Sequence, residues 1–336
     1  MVIASDPRPL TVACDLTRGQ RLYQLPEWGR QQVEQVFGGA VRVVPFDASG
    51  SMAGEDQIDV YWGNYFQTAF LERMPRLRWI HCASVGVNRA ATLEVKARGI
   101  VVTNSRGLLA APVSAVVLGM ICALGRGFHH ASRLRTEGRL DRDTFDRYFD
   151  EMHDLEGETC LIVGVGEAGV RVATACAALG MRVTGIRRRP EHSDPNISRW
   201  FTLDELTEAV RDADYVVNLL PLTGRTTRVF AAPVFAAMKR SAFFINAGRG
   251  PTVDEASLVA ALESGVIAGA GLDVFDIEPL PQQSRLWHLP QTILMPHVAC
   301  LSVRYWPRQI ALMNDNLRRF LDGQPLTNTI DFAQGY

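Results

Sequence analysis

Three charged or titratable side chains follow predicted strands in the second half of the chain: Arg249 after AFFINA, Glu278 after AGAGLDV, and His297 after TILMP. Because the carboxyl ends of parallel strands meet at one edge of a sheet, the three can converge there. An arginine can orient a carbonyl and a carboxylate, a histidine can exchange a proton, and a carboxylate can fix the ring and favour its protonated form. Singly, each would more often be an ordinary surface or packing residue. Together they predict a catalytic set for hydride transfer to or from a small 2-oxo or 2-hydroxy acid.

A glycine-rich loop lies directly between a predicted strand and a predicted helix in CLIVGVGEAGVRVA, with Gly164, Gly166 and Gly169 at G-x-G-x-x-G spacing. The first glycine permits the tight turn, the second lets backbone approach a pyrophosphate, and the third lets helix and strand pack closely. The free N–H groups of the helix N-terminus favour phosphate. The context predicts dinucleotide binding, against a structural glycine turn or a methyltransferase-type loop.

The next predicted strand, MRVTGI, ends at Arg187, which Arg188 and Arg189 follow. An acidic residue about twenty positions after the glycines usually binds the ribose 2′-hydroxyl. Guanidinium groups at that place would instead bind a 2′-phosphate. We therefore expect NADP(H) to be preferred, with NAD(H) possible. The alternative is a solvated basic turn before Pro190.

Two sets of alternating strands and helices must position these residues. TVACDL, VRVVPF, IDVYWG, LRWIHCA and GIVVTN read as a first parallel sheet; TCLIVGVG, MRVTGI, ADYVVNLL, AFFINA, AGAGLDV and TILMPH read as a second. The fold class is therefore α/β, with two Rossmann- or flavodoxin-like doubly wound domains and an active-site cleft between them. We expect a substrate-binding domain at 1–105 plus 300–336 and a dinucleotide-binding domain at 106–299. The apolar helix in 108–124 is a candidate linker and dimer element.

Composition excludes several partners. The 336 residues carry a net charge of −1, so no overall field favours nucleic acid or an anionic membrane surface. No apolar run reaches the eighteen or so residues that a membrane span requires. The six cysteines are scattered without zinc spacing, which predicts reduced thiols and no metal site. We expect a cytoplasmic protein.

Motifs spread over the chain give a family resemblance. LEGETCLIVGVGEAG, NLLPLTGRT, FINAGRGPTVDEASLVAALESGVIAGAGLDVFDIEPLP and ILMPHVA occur in an order and at a spacing similar to those of the D-isomer-specific 2-hydroxyacid dehydrogenases, especially the glyoxylate/hydroxypyruvate reductase branch. The resemblance implies that His297 is the general acid in reduction, that Glu278 is its partner, and that Arg249 holds the substrate's carboxylate and polarises its keto oxygen. It also implies a homodimer.

The resemblance extends to binding residues. It implies a substrate-carboxylate loop at Ser84, Val85 and Gly86, although an ordinary strand-to-helix turn would read similarly. The residues expected to line the cofactor are Gly164, Val165, Gly166, Glu167, Ala168, Arg187, Arg188, Leu220, Pro221, Thr226, Asn246, Ala247, Gly248, Asp273 and His297. The chain departs from the family at Ser114, where an acidic residue is usual, so dimer or hinge geometry can differ there.

Two other classes of protein remain possible from the sequence. A dinucleotide-sensing regulator on the same fold would bind ligand without turnover, and could retain the Arg249, Glu278 and His297 set. A nucleotide-dependent methyltransferase would use the glycine loop, but the NAGRG and EPLP contexts argue against it.

Overall fold

The computed structural model describes residues 8–16, 23–47, 53–87, 89–188 and 194–332. The chain divides into two compact units. The first comprises Met1–Leu109 and Leu301–Tyr336, and the second comprises Ala110–Cys300. Both contain a sheet whose strand pairs are all parallel, so the predicted α/β class with two parallel sheets is confirmed.

The first unit has the five predicted strands in the order β2-β1-β3-β4-β5. Their bounds are β1 Leu10–Cys14, β2 Val41–Pro45, β3 Val60–Gly63, β4 Trp79–Cys82 and β5 Val101–Asn104. Successive side chains point to opposite faces, so Tyr61 and Ile80 enter one hydrophobic cluster while Trp62 and Trp79 enter another. Helices cover both faces, which explains the nearly continuous burial of these strands.

The helices of this unit include a long one at the carboxyl end of the chain. Their bounds are α1 Glu27–Val36, α2 Phe70–Arg73, α3 Leu93–Ala97 and α11 Tyr305–Leu321. Ile310, Met313 and Leu317 recur at helical spacing along α11 and pack into the same cluster as Trp62 and Trp79. This apolar stripe holds α11 against the sheet of the first unit.

The second unit has seven strands in the order β12-β11-β10-β9-β6-β7-β8. Their bounds are β6 Thr159–Val163, β7 Arg182–Ile186, β8 Arg199–Phe201, β9 Tyr215–Asn218, β10 Phe243–Asn246, β11 Gly269–Leu272 and β12 Thr292–Leu294. Six correspond to predicted strands. The edge strand β8 was not predicted, because three residues, RWF, are too few to show a period.

The helices of the second unit include the predicted apolar one. Their bounds are α4 Ala110–Gly125, α5 Phe128–Thr136, α6 Arg142–Asp146, α7 Glu167–Ala178, α8 Leu206–Ala209, α9 Ala232–Ala237 and α10 Glu255–Glu263. Much of the apolar surface of α4 packs within its own unit, where Val117, Met120 and Ile121 join the cluster that contains Ile162 and Ile245.

Among the described residues, no single helix is long and apolar enough to cross a membrane; α4 and α5 meet the length and composition only as a pair bent by 71°.

Candidate active site

Glu278 and His297 form a direct pair at the carboxyl edge of the second sheet. His297 Nδ1 lies 2.7 Å from Glu278 Oε2, and Glu278 Oε1 accepts the backbone N–H of Phe275 at 3.1 Å. Burial favours a higher pKa for Glu278. The hydrogen bonds from His297 and Phe275, with the charges of His297 and Arg249, outweigh burial and lower that pKa from its ordinary value. The carboxylate therefore stays ionised and fixes the ring, leaving Nε2 as the nitrogen for proton exchange.

The backbone at His297 is held in an unusual conformation. Its φ of 54° is left-handed, which costs a non-glycine residue about 1–2 kcal/mol. The His297 N–H donates to the carbonyl of Asp273 at 2.8 Å, and the Asp273 carboxylate accepts the N–H groups of Val298 and Ala299. Burial raises the pKa of Asp273, although these two hydrogen bonds act in the opposite direction. Asp273 thus anchors the loop that carries the histidine.

Arg249 is fixed by the close approach of its neighbour Gly250 to another loop. A Cβ on Gly250 would lie 1.7 Å from the carbonyl oxygen of Phe275, so only glycine fits. Phe275 also donates its N–H to Glu278, so the same contact brings the Arg249 loop beside the Glu278 loop. The Arg249 guanidinium donates to the Gly248 carbonyl at 2.7 Å.

The glycine loop begins where β6 ends. Gly164 has a φ of 98°, and a Cβ there would lie 2.8 Å from the Leu219 carbonyl carbon. A Cβ on Gly169 would lie 3.1 Å from the Gly164 carbonyl oxygen, so helix α7 packs close to the turn. A Cβ on Gly166, by contrast, would meet nothing within 4 Å among the described atoms. The backbone at Gly166 is therefore open to a ligand, and α7 begins at Glu167 without a side-chain cap.

Arg187 lies beside this loop. The carbonyl of Ile186, the last residue of β7, accepts the N–H groups of Gly164 at 3.0 Å and Val165 at 3.1 Å. Arg187 follows at once and is partly buried, while Arg188 is exposed. Arg189 lies outside the described residues. The two described arginines are thus next to the segment that would receive a pyrophosphate.

The other predicted cofactor residues lie at the same edge, after β9 and β10. The turn after Leu220 is held by the Thr226 hydroxyl, which donates to the Pro221 carbonyl at 2.6 Å and accepts the Thr223 N–H at 2.8 Å. A Cβ on Gly248 would lie 2.8 Å from the Leu220 carbonyl oxygen. This tight contact holds the Gly248 loop against the turn.

Asn218, at the end of β9, was not predicted. Its amide donates to Asn246 Oδ1 at 3.0 Å and to the Thr252 hydroxyl at 2.7 Å. Its Oδ1 accepts the Leu220 N–H at 3.1 Å, and Asn246 Oδ1 accepts the Gly248 N–H at 3.2 Å. Asn218 therefore ties three loops together. In the sequence, the polar residue at the end of the otherwise apolar strand YVVN could have indicated this role.

In the first unit, the predicted substrate loop Ser84–Val85–Gly86 follows β4. Each of its carbonyls accepts a hydrogen bond: Ser84 from the Ser105 N–H at 3.0 Å, Val85 from the Asn104 amide at 2.9 Å, and Gly86 from the Ser84 hydroxyl at 2.9 Å. Within the described ranges, the three backbone N–H groups of the loop donate to no protein acceptor. A loop with satisfied carbonyls and available N–H groups suits an anion.

The residues that the structure describes give no support for a metal site or for a nucleophilic Cys14 or Cys82. No group of three or more His, Cys, Asp or Glu residues there could hold a metal ion. All six cysteines are free thiols, and Cys14, Cys82, Cys160 and Cys176 are buried. Burial raises the pKa of Cys14 and of Cys82 to about 12, so these two thiols are poor nucleophiles.

Known proteins resemble this chain in sequence. Residues 118–299 match the family model described as D-isomer specific 2-hydroxyacid dehydrogenase, NAD binding domain. The chain is 35% identical over 268 residues to glyoxylate/hydroxypyruvate reductase B of Citrobacter koseri, covering 79% of this chain and 81% of that protein.

Solved structures also resemble it. A D-isomer specific 2-hydroxyacid dehydrogenase from Xanthobacter autotrophicus Py2, in complex with NADPH and MES, matches with a TM-score of 0.82 and 26% identity over 98% of this chain and 100% of that one. An NADPH-dependent glyoxylate/hydroxypyruvate reductase from Sinorhizobium meliloti, in complex with NADP and sulfate, matches with a TM-score of 0.80 and 25% identity over the same shares.

The fold and the comparisons together define an NAD(P)-dependent dehydrogenase. The chain belongs to the D-isomer specific 2-hydroxyacid dehydrogenase family, and its resemblance to the glyoxylate/hydroxypyruvate reductase branch is confirmed. The predicted enzyme class and the predicted use of a nicotinamide cofactor are confirmed as well. Nothing in the comparisons supports the regulator or the methyltransferase.

Proposed function

We propose that the protein is an NADPH-preferring reductase of small 2-oxo acids of the glyoxylate and hydroxypyruvate type, giving the D-2-hydroxy acid. The observation that carries the proposal is the 2.7 Å pair between Glu278 and His297, next to the loop of Arg249. Relatives named glyoxylate/hydroxypyruvate reductase support the substrate class.

The proposed chemistry assigns one task to each residue. Arg249 orients the substrate's carboxylate and keto oxygen, and its charge stabilises the oxygen as it becomes negative. His297 donates a proton from Nε2 to that oxygen, and Glu278 stabilises the positively charged ring before the transfer. When bound, the nicotinamide supplies the hydride. The N–H groups of Ser84, Val85 and Gly86 bind the substrate's carboxylate.

The proposed cofactor site is the strand edge that follows β6, β7, β9, β10 and β11. The open backbone at Gly166 and the uncapped start of α7 fit a pyrophosphate, and Arg187 and Arg188 fit a 2′-phosphate. Asn246 and Asp273 lie at the strand ends expected to face the nicotinamide. Bound NADPH or NADP in two structural relatives supports this assignment.

The direct test is an absorbance assay at the nicotinamide band. Purified protein should oxidise NADPH with glyoxylate or hydroxypyruvate, and kcat/KM should be higher with NADPH than with NADH. A panel of 2-oxo acids with both cofactors tests reaction class, substrate and cofactor together. Binding of NADPH without turnover of any acid would favour the regulator, and equal use of NADH would refute the role of Arg187.

Replacing Arg187 and Arg188 by serine should raise the KM for NADPH by about tenfold or more, because charge-assisted hydrogen bonds to the 2′-phosphate are lost. The KM for NADH should change little. Arg182→Ser is the matched control, since Arg182 is an exposed arginine at the opposite end of the same strand. A parallel rise for both cofactors would contradict a specific contact with the 2′-phosphate.

We further propose that the first unit is the substrate-binding domain and that the second is the cofactor-binding domain. We also propose a cytoplasmic homodimer. The exposed aromatic and aliphatic side chains of Phe128, Leu140 and Phe149, between 59% and 76% exposed, support an interface on the segment that follows α4. Light scattering of the purified protein tests the dimer.

A further inference from the structure

The carbonyl of Ala83, directly before the substrate loop, accepts two side-chain donors from helix α11. Gln309 Nε2 donates at 2.6 Å, and the Tyr305 hydroxyl donates at 2.8 Å. Both side chains are buried, and Gln309 has no exposed surface. A helix more than 200 residues away in sequence therefore holds one peptide of this loop.

Buried polar side chains of the first sheet form a cluster beside the Gln309 amide. Trp79 Nε1 donates to the Thr103 hydroxyl at 2.8 Å, and that hydroxyl lies 2.8 Å from His81 Nδ1. The other ring nitrogen, His81 Nε2, lies 3.5 Å from the Ser105 hydroxyl.

Burial lowers the pKa of His81 to about 4, so this ring is neutral near pH 7. Because the Ala83 carbonyl can only accept, the atom of the Gln309 amide that lies 2.6 Å from it is the nitrogen. The Ser105 hydroxyl accepts from that nitrogen at 2.8 Å and donates to the Cys82 carbonyl at 2.9 Å. The position of the amide is thus set from several sides.

The Ala83 carbonyl and the Ser84 N–H belong to the same peptide unit. Hydrogen bonds to the carbonyl fix the peptide plane and strengthen the N–H as a donor, because connected hydrogen bonds polarise one another. The Ser84 N–H is one of the three donors that the described residues leave available for an anion. The contact made by Gln309 therefore bears on how this loop binds a carboxylate.

We propose that Gln309, assisted by Tyr305, is a positioning residue for the substrate-carboxylate loop. This rests on the function proposed above for Ser84, Val85 and Gly86. Gln309 does not touch the substrate. It acts through the Ala83–Ser84 peptide, so its loss weakens carboxylate binding and leaves cofactor binding unchanged.

The test compares two buried amides on the same helix. Gln309→Leu removes the contact to Ala83. Asn316→Leu removes an equally buried amide that instead donates to the Thr327 carbonyl at 3.1 Å and accepts the Thr327 N–H at 2.7 Å. In Gln309→Leu the KM for glyoxylate and the Kd for oxamate, a non-reducible analogue, should rise about tenfold, as when a hydrogen bond to a charged group is weakened. The KM for NADPH should stay within about twofold.

Tyr305→Phe removes only a hydroxyl, so it provides the test if Gln309→Leu does not fold; the Kd for oxamate should rise about threefold, the loss of one ordinary hydrogen bond. Unchanged glyoxylate and oxamate values in the folded variant, or the same rise in Asn316→Leu, would overturn the proposal. Failure of the wild-type protein to reduce any 2-oxo acid is a different result, which refutes the proposed function itself.

Discussion

His297→Ala should lower kcat for 2-oxo acid reduction by about 10²–10⁴-fold, the usual contribution of general acid–base catalysis. Glu278 stays ionised, so the His297 ring is the group of this pair that can donate a proton. Binding of NADPH, measured by fluorescence titration, should weaken far less than kcat falls, since the glycine loop and Arg187 do not depend on the imidazole.

His288→Ala is the matched control for this variant, because His288 is exposed and lies nine residues earlier in the same unit. Glu278→Gln should give a smaller loss than His297→Ala, since an amide can still accept from Nδ1 and hold the ring, but more weakly than a carboxylate does. A decrease of less than about tenfold in His297→Ala would show that another group supplies the proton.

The positions of these residues were largely accessible from the sequence. Parallel strands are buried on both faces and read as short apolar runs, so the strands before Arg249, Glu278 and His297 were recognisable. Strand order was not readable locally. The sequence therefore predicted that the three residues share an edge, while the 2.7 Å contact of Glu278 with His297 required the fold.

What the sequence missed depends on contacts between distant segments. The motif NAGRG does not show why Gly250 must be a glycine. In the fold, a Cβ on Gly250 would lie 1.7 Å from the Phe275 carbonyl oxygen. Asn218 and Gln309 each connect loops separated by tens to hundreds of residues, so no local period marks them. The edge strand β8 was not predicted, because three residues are too few to show an alternation of buried and exposed side chains.

Arg249→Gln should lower kcat/KM for glyoxylate by about 10²–10³-fold, the effect of removing a group that stabilises a developing oxyanion. The close approach of Gly250 to the Phe275 carbonyl holds the Arg249 loop beside the Glu278 loop. Arg249→Lys should recover only part of the activity, because an ammonium group lacks the planar fork that matches a carboxylate with two hydrogen bonds.

The measurement is kcat/KM for glyoxylate, together with the Kd for NADPH. Arg240→Gln serves as the control, since Arg240 is an exposed arginine of the same unit whose side chain donates to the Gly265 carbonyl at 3.1 Å. Arg249 also lowers the pKa of Glu278 through its charge and donates to the Gly248 carbonyl, so its loss could disturb the local structure. Thermal unfolding of each variant distinguishes such a structural effect from a loss of catalysis alone. A full recovery of activity by lysine would show that charge alone, and not a two-point contact with the carboxylate, is what this position supplies.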